Sequence, residues 1–204
     1  VNALPSERPQ IQGRGPSKNA APPIRTMKDL VRKSLLKAFE RLLHDDGHLF
    51  DCPIEEDIPY DARKLHEVCI NHCLAIHLEK VTLPICKSDE SIFVDIEFNR
   101  EGVNFKKATV NGQDKLIRPD IIIHNRITGS RKSNFLVVEC KKQGAPDFEI
   151  SEDRQKVLAL RKDERYGYSF GLHVVYGQNG VNGESFFKES DAVISERIDY
   201  CSTD

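Results

Sequence analysis

R-P-D-I-I-I-H-N-R-I-T-G-S-R-K-S-N-F-L-V-V-E-C-K-K, from Arg118 to Lys142, is the stretch whose reading decides the fold. Two apolar runs rich in β-branched residues, Ile121 to Ile123 and Phe135 to Val138, flank a polar segment that holds Thr128, Gly129 and Ser130. That pattern predicts a β-hairpin turning near Gly129. Opposed residues in an antiparallel pair have a constant sum of numbers, so Asp120 should lie abreast of Glu139, within one position. Directly opposed side chains sit about 4.5 to 5.5 Å apart at Cβ, so two carboxylates placed this way can share one divalent cation at about 2.1 Å from each oxygen. Alternation puts Glu139 and Lys141 on one face of their strand and Cys140 on the other.

Two carboxylates at this range push one proton affinity up unless a cation lies between them. The pairs Pro119-Asp120 and Glu139-Cys140-Lys141 resemble the motif of the PD-(D/E)XK nuclease superfamily, and the chain resembles an uncharacterised member of it. The competing reading takes Asp120 as a turn residue after Pro119, and Glu139, Lys141 and Lys142 as a solvated strand end.

With 204 residues, 39% of them hydrophobic, the chain can bury a core as one domain. No apolar run approaches the ~18 residues that span a bilayer. The first residues present carry neither a basic nor an apolar signal region, although the chain opens at Val1 without a methionine. Six cysteines without framework spacing favour a reducing, cytoplasmic setting. The net charge of -2 argues against a surface uniformly coated for nucleic acid. Between Arg100 and Lys142, however, ten Lys or Arg stand against four acids, whereas seven acids and no Lys or Arg fall between Asp45 and Asp61. Basic residues near a site can contact phosphates; a mixed surface with local fluctuations explains the count equally well.

Residues 1–25 carry five of the ten prolines and little apolar periodicity, and are expected to be a disordered arm or a cloning remnant; 26–204 is expected to form a single domain. A first helix should be capped by Thr26, run through Leu30, Val31, Leu35, Leu36 and Phe39, and end at Gly47. A second is expected from Ala62 to Lys80, with Leu65, Cys69, Ile70, Cys73, Leu74 and Ile76 facing the sheet and Glu67 at the margin of that arc. His66, Cys69, Cys73 and His77 are zinc-binding types, but eleven helical residues rise about 16 Å and cannot surround one ion, so a buried cysteine and core histidine reading is preferred. Ser91 to Arg100 alternates as a strand with Asp95, Glu97 and Asn99 on one face. Ser151 to Asp163 reads as a helix capped by Ser151, with Asp153 and Lys156 as surface charges or substrate contacts, and Tyr168 to Tyr176 as a buried strand. Gly177 onward reads as loop and tail.

The order helix, helix, strand, strand, strand, helix, strand matches the α-β-β-β-α-β core of restriction-endonuclease-like folds, an α/β class with a mixed sheet flanked by helices, here with an extra N-terminal helix. The resemblance covers about Ala62 to Tyr176. It implies a Mg2+- or Mn2+-dependent nuclease that hydrolyses phosphodiester bonds of nucleic acid, with DNA favoured over RNA. It also implies an early-helix glutamate in the metal site; Glu67 is the candidate, with Glu79 as substitute. The metal would be held by Asp120, Glu139, the Cys140 backbone carbonyl and Glu67, all hard oxygens, with Lys141 orienting the attacking water. Glu97, Arg118, His124, Lys142 and Lys156 are candidate substrate contacts, and Glu97 is a fallback ligand. No Ser-His-Asp order fits, and Cys140 and His124 point to opposite faces, which argues against nucleophilic catalysis. The alternative function is a catalytically silent nuclease-fold binding or scaffold protein. No membrane partner is expected, and oligomeric state is not legible.

Overall fold

The computed structural model describes residues 24–50, 66–86, 91–101, 103–126, 134–177, 180–189 and 192–201. Helices α1 (Ile24–Asp46) and α2 (Glu67–Thr82) lead into strand β1 (Ile92–Ile96). Two small antiparallel hairpins follow, β2 (Arg100–Glu101) with β3 (Asn104–Phe105), then β4 (Lys107–Val110) with β5 (Gln113–Leu116). Next come β6 (Ile121–Asn125), β7 (Leu136–Lys142), α3 (Asp147–Lys162), β8 (Phe170–Gly177), β9 (Gly180–Glu189) and β10 (Ala192–Cys201). The result is an α/β fold in which a mixed six-stranded sheet of order β1-β6-β7-β8-β9-β10 packs against helices.

β7 and β8 are parallel, joined by the crossover helix α3, and the other neighbours in this sheet are antiparallel. β6 and β7 pair Ile121 with Val138 and Ile123 with Leu136. Continued by one step, that register sets Asp120 beside Glu139, as the hairpin reading expects; the turn itself, with Thr128, Gly129 and Ser130, lies outside the described residues.

Alternation along β7 divides two cores. Leu136, Val138 and Cys140 join Phe39, Leu42, Ile70, Leu74 and Leu78 from α1 and α2, with Leu172, Val174 and Tyr176 from β8. Val137 joins Ile122, Val157, Leu160, Tyr166 and Tyr168 on the α3 side. Glu139 and Lys141 share the face of Val137, so α3 covers them.

Several sequence expectations are corrected. Helix α1 is already running at Ile24, so Thr26 does not cap it; 1–23 lie outside the described residues. The α2 buried face is Ile70, Asn71, Leu74, Ala75, His77, Leu78 and Thr82, whereas Cys69 and Ile76 are exposed. Polar residues enter because they have partners: the His77 ring meets Asp46 at 2.7 Å and Asn71 accepts from the Tyr176 hydroxyl at 2.9 Å. Residues 62–65, including Leu65, lie outside the described residues. The strand expected to reach Arg100 stops at Ile96, because Glu97 takes a positive φ of 49° that breaks the pleat. Helix α3 begins at Asp147 after Pro146, four residues before Ser151, which is therefore no cap.

The expected tail after Gly177 is two ten-residue strands paired from Ala192 with Glu189 to Cys201 with Gly180. Among the described side chains of β10 only Ile198 is buried. A strand held by its backbone ladder leaves little apolar rhythm to read.

Candidate active site

β6 starts at Ile121, opposite Val138, so β7 runs past it and the backbone edge of its last residues is not laddered to β6. Two carboxylates cover it. Asp120, just before β6, accepts the Cys140 N–H on its Oδ2 at 2.7 Å, and Glu67, at the first turn of α2, accepts the Lys142 N–H on its Oε1 at 3.2 Å. In an extended strand the N–H and C=O of one residue point to the same side, so the Cys140 carbonyl opens onto the gap that Asp120 borders.

Glu139 is 3% exposed, and its Oε1 is buried without a hydrogen-bond partner. Burial, and then the charge of Asp120, push its carboxyl well above the ordinary range. Burial also raises Asp120 to about 6, against the Cys140 N–H, which favours the charged form. A buried acceptor with no donor is costly, so the pair suits a positive ligand.

Four further groups, Glu149, Asp153 and Lys156 on α3 and His173 on β8, surround this pair. Asp153, 4% exposed, lies 3.3 Å from the Lys141 ammonium and 2.6 Å from that of Lys156. Glu149 reaches Lys141 at 3.4 Å. Burial alone would lower both lysines, but neighbouring carboxylates outweigh it: Asp153, Glu67 and Glu149 for Lys141, Glu139 and Asp153 for Lys156. The reading of Asp153 as a surface charge is therefore corrected. It shares the helical stripe of buried Val157 and Leu160, and that spacing was the available signal. His173 on β8 pairs directly with Glu139, is 5% exposed, and has a buried Nε2 without a partner. It was read only as part of an apolar strand.

The other expected contacts divide. Glu97 donates its N–H to the Asp120 carbonyl at 2.9 Å, and its side chain pairs with Arg118 at 3.4 Å, so both border the site at the β1 side. His124 is not brought in. Its ring meets Asp95 at 2.7 Å and packs on Phe98, four residues up β6 from Asp120, or about 13 Å along the strand. Burial, with the charges of Lys106 and Arg126, lowers its proton affinity, and Asp95 opposes them. Glu79 is exposed near the far end of α2 and takes no part.

Among the described residues no three Asp, Glu, His or Cys side chains converge as a metal cage, including the His66, Cys69, Cys73 and His77 set. The donors gathered at the end of β7 are two carboxylates and a backbone carbonyl, with Glu67 two residues further along the same edge. All are hard oxygens, the donor chemistry of Mg2+ or Mn2+. No helix among the described residues is long and apolar enough to cross a membrane. No protein-family model, curated protein or solved structure matches the chain.

Proposed function

We propose that this chain is a metal-dependent nuclease of the PD-(D/E)XK kind, hydrolysing phosphodiester bonds of nucleic acid, with DNA the expected substrate. One observation carries the reading: Asp120 and Glu139 lie abreast at the end of a hairpin, both with raised proton affinities, and Glu139 has an oxygen that no described residue satisfies. The helix-strand-strand-strand-helix-strand order of α2, β1, β6, β7, α3 and β8, with β7 and β8 parallel, supports a restriction-endonuclease-like core.

In this reading Asp120, Glu139 and the Cys140 carbonyl would hold Mg2+ or Mn2+, and Glu67 borders the same edge. When bound, the ion lowers the pKa of water and offsets charge on the scissile phosphate. Lys141 stays protonated, because Asp153 and Glu149 stabilise its ammonium, so it donates a hydrogen bond to the attacking water or the phosphate oxygen and does not take the proton. Asp153 sets the position of Lys141 from behind, and Lys156 limits the repulsion around Glu139.

The test is cleavage of single- and double-stranded DNA and RNA with Mg2+ or Mn2+, beside Glu139→Ala and Lys141→Ala proteins. Loss of cleavage in both variants is the expected result. No cleavage by the wild-type chain, or equal cleavage by the variants, would leave the silent binding protein as the better reading.

A further inference from the structure

Three aromatic rings stand exposed among the described residues: Phe93, Phe105 and Phe148. Two of them are covered by a cation, since the Arg126 guanidinium lies 4.3 Å over Phe93 and that of Arg100 lies 4.2 Å over Phe105. Phe148 is 70% exposed, and among the described residues neither a cation nor another ring lies against it. Its place is specific. The four residues from Gln143 to Pro146 separate β7 from α3, and the Ala145 N–H bonds the Lys142 carbonyl at 3.3 Å, which closes the turn between the end of β7 and α3. Next to Phe148, Glu149 touches Lys141. One turn on, in the same stripe as Phe148, Glu152 pairs with Lys115 of the β4–β5 hairpin at 2.5 Å. Phe148 therefore stands at the rim of the carboxylate cluster, between it and that hairpin.

Lys141, Lys142 and Lys156 are interleaved there with the carboxylates Glu67, Asp120, Glu139, Glu149 and Asp153, so a non-ionic contact adds to what phosphate attraction supplies at this end of the sheet. An uncovered aromatic face is what a nucleobase stacks on, and bases paired inside a duplex have both faces covered by their neighbours, so away from duplex ends an unpaired base is needed.

We propose that Phe148 forms a nucleobase-stacking subsite beside the cluster, which makes the substrate a nucleic acid with unpaired nucleotides: a single strand or a frayed end. The proposal rests on the nuclease reading and names the substrate class of that same site.

The chain contains no tryptophan, so Phe148→Trp places a single fluorescent reporter at the subsite. A short single-stranded oligothymidylate, titrated with Ca2+ present, should quench that fluorescence, and a duplex of the same length should quench it much less. Phe148→Ala should weaken single-strand binding about tenfold by fluorescence anisotropy, leave duplex binding unmoved, and leave the melting temperature unchanged because the ring is exposed. Equal quenching by duplex, or unaltered single-strand binding by Phe148→Ala in a protein that still cuts nucleic acid, overturns the subsite and leaves the nuclease reading standing. A wild-type chain that neither cuts nor binds any of these nucleic acids overturns both.

Discussion

Glu139 and His173 stand abreast on the parallel strands β7 and β8, both buried, and each carries a polar atom with no partner, Oε1 on one and Nε2 on the other. The row continues to Glu184 on β9, whose carboxylate takes Arg154 of α3 through two hydrogen bonds of 2.7 and 2.8 Å. With Asp120 beside Glu139, a line of ionisable side chains crosses the sheet beneath α3, where the same faces further up the strands hold Ile122 and Val137. A fold built for stability alone would fill that line with apolar groups, since replacing buried charges by packed hydrocarbon is often neutral or stabilising. Its presence sets a stability cost against the binding role proposed for this level of the sheet.

That opposition predicts a stabilising substitution. Asp120 holds its proton up to about pH 6 in the fold, above the ordinary value of 3.8. The native state thus binds this proton more tightly than the unfolded chain, so its contribution falls as pH rises from 3.8 through 6 and stays low above that. Without divalent ion, Asp120→Asn should be more stable than wild type by on the order of 2 kcal/mol above about pH 7, with the gap closing toward pH 4. Thermal melts across pH measure it. A gap that is absent at pH 8, or that widens in acid, would contradict the assignment.

Divalent ions should reverse that order. Mn2+ or Mg2+ at 100 times its dissociation constant adds about 2.7 kcal/mol to a chain that binds it only when folded. The wild-type melting temperature should rise with Mn2+, more at pH 8 than at pH 5 because protons compete for both carboxylates, and Glu139→Gln should show no rise. Differential scanning fluorimetry gives the answer, and an equal shift in Glu139→Gln would place the ion elsewhere.

The hairpin was legible in the sequence because its two arms are apolar and β-branched, with the polar residues Asp120, Glu139 and Lys141 at their end. Asp120, Glu139 and Lys141 followed from register alone, and Glu67 from resemblance. Asp153 reads as a surface charge or substrate contact and His173 as part of an apolar run, so neither shows as a buried member of the cluster; burial by partners has no signature in a single residue. The Asn111-Gly112 turn of the β4–β5 hairpin, with φ of 52° and 76°, was readable as a two-residue hairpin turn and was passed over. β9 and β10 stayed hidden because glycines and exposed polar residues interrupt their alternation, and backbone pairing holds them to the sheet.

Asp153 should be the most sensitive member of the cluster to truncation. It is buried between two ammonium groups, so Asp153→Ala strands both Lys141 and Lys156 without their shared partner. Breaking a buried pair in this way costs about 3 to 5 kcal/mol. Asp153→Ala combined with Lys156→Met should regain part of that loss, and a double-mutant cycle by urea denaturation reads the coupling. Additive losses would mean that the Asp153–Lys156 contact contributes nothing.

Gly171 allows α3 to lie close on β8. A Cβ there would meet Val157 Cγ1 at 2.5 Å and Arg161 Cδ at 2.9 Å, both on α3. Gly171→Ala should cost about 1 to 3 kcal/mol through overpacking. Because α3 also carries Asp153 and Lys156, nucleic-acid cleavage should fall further than the loss of folded protein explains. Cleavage measured well below the melting temperature separates the two effects, and full activity in a destabilised Gly171→Ala chain would mean that α3 is not what positions Lys141.

Lys106 tests the cost of a buried cation away from the site. It is 4% exposed, with its ammonium 3.1 Å from the Tyr168 hydroxyl, 3.4 Å from the Phe98 carbonyl and 5.0 Å over the Phe98 ring. Burial lowers its pKa to about 8, although Asp95 and Glu101 favour the charged form. The unfolded chain therefore holds this proton more tightly than the native state. Stability should rise as pH climbs from about 8 to 10.5, and the penalty is complete below 8. Lys106→Met keeps the apolar stem, so at neutral pH it should be more stable than wild type by about 2 to 3 kcal/mol, less whatever the Tyr168 and Phe98 contacts return. The difference between the two proteins should shrink with rising pH across that window. Urea unfolding of both chains at pH 7, 8.5 and 10 measures it, and a Lys106→Met protein less stable at every pH would show that the hydroxyl, carbonyl and ring contacts outweigh the burial of the charge.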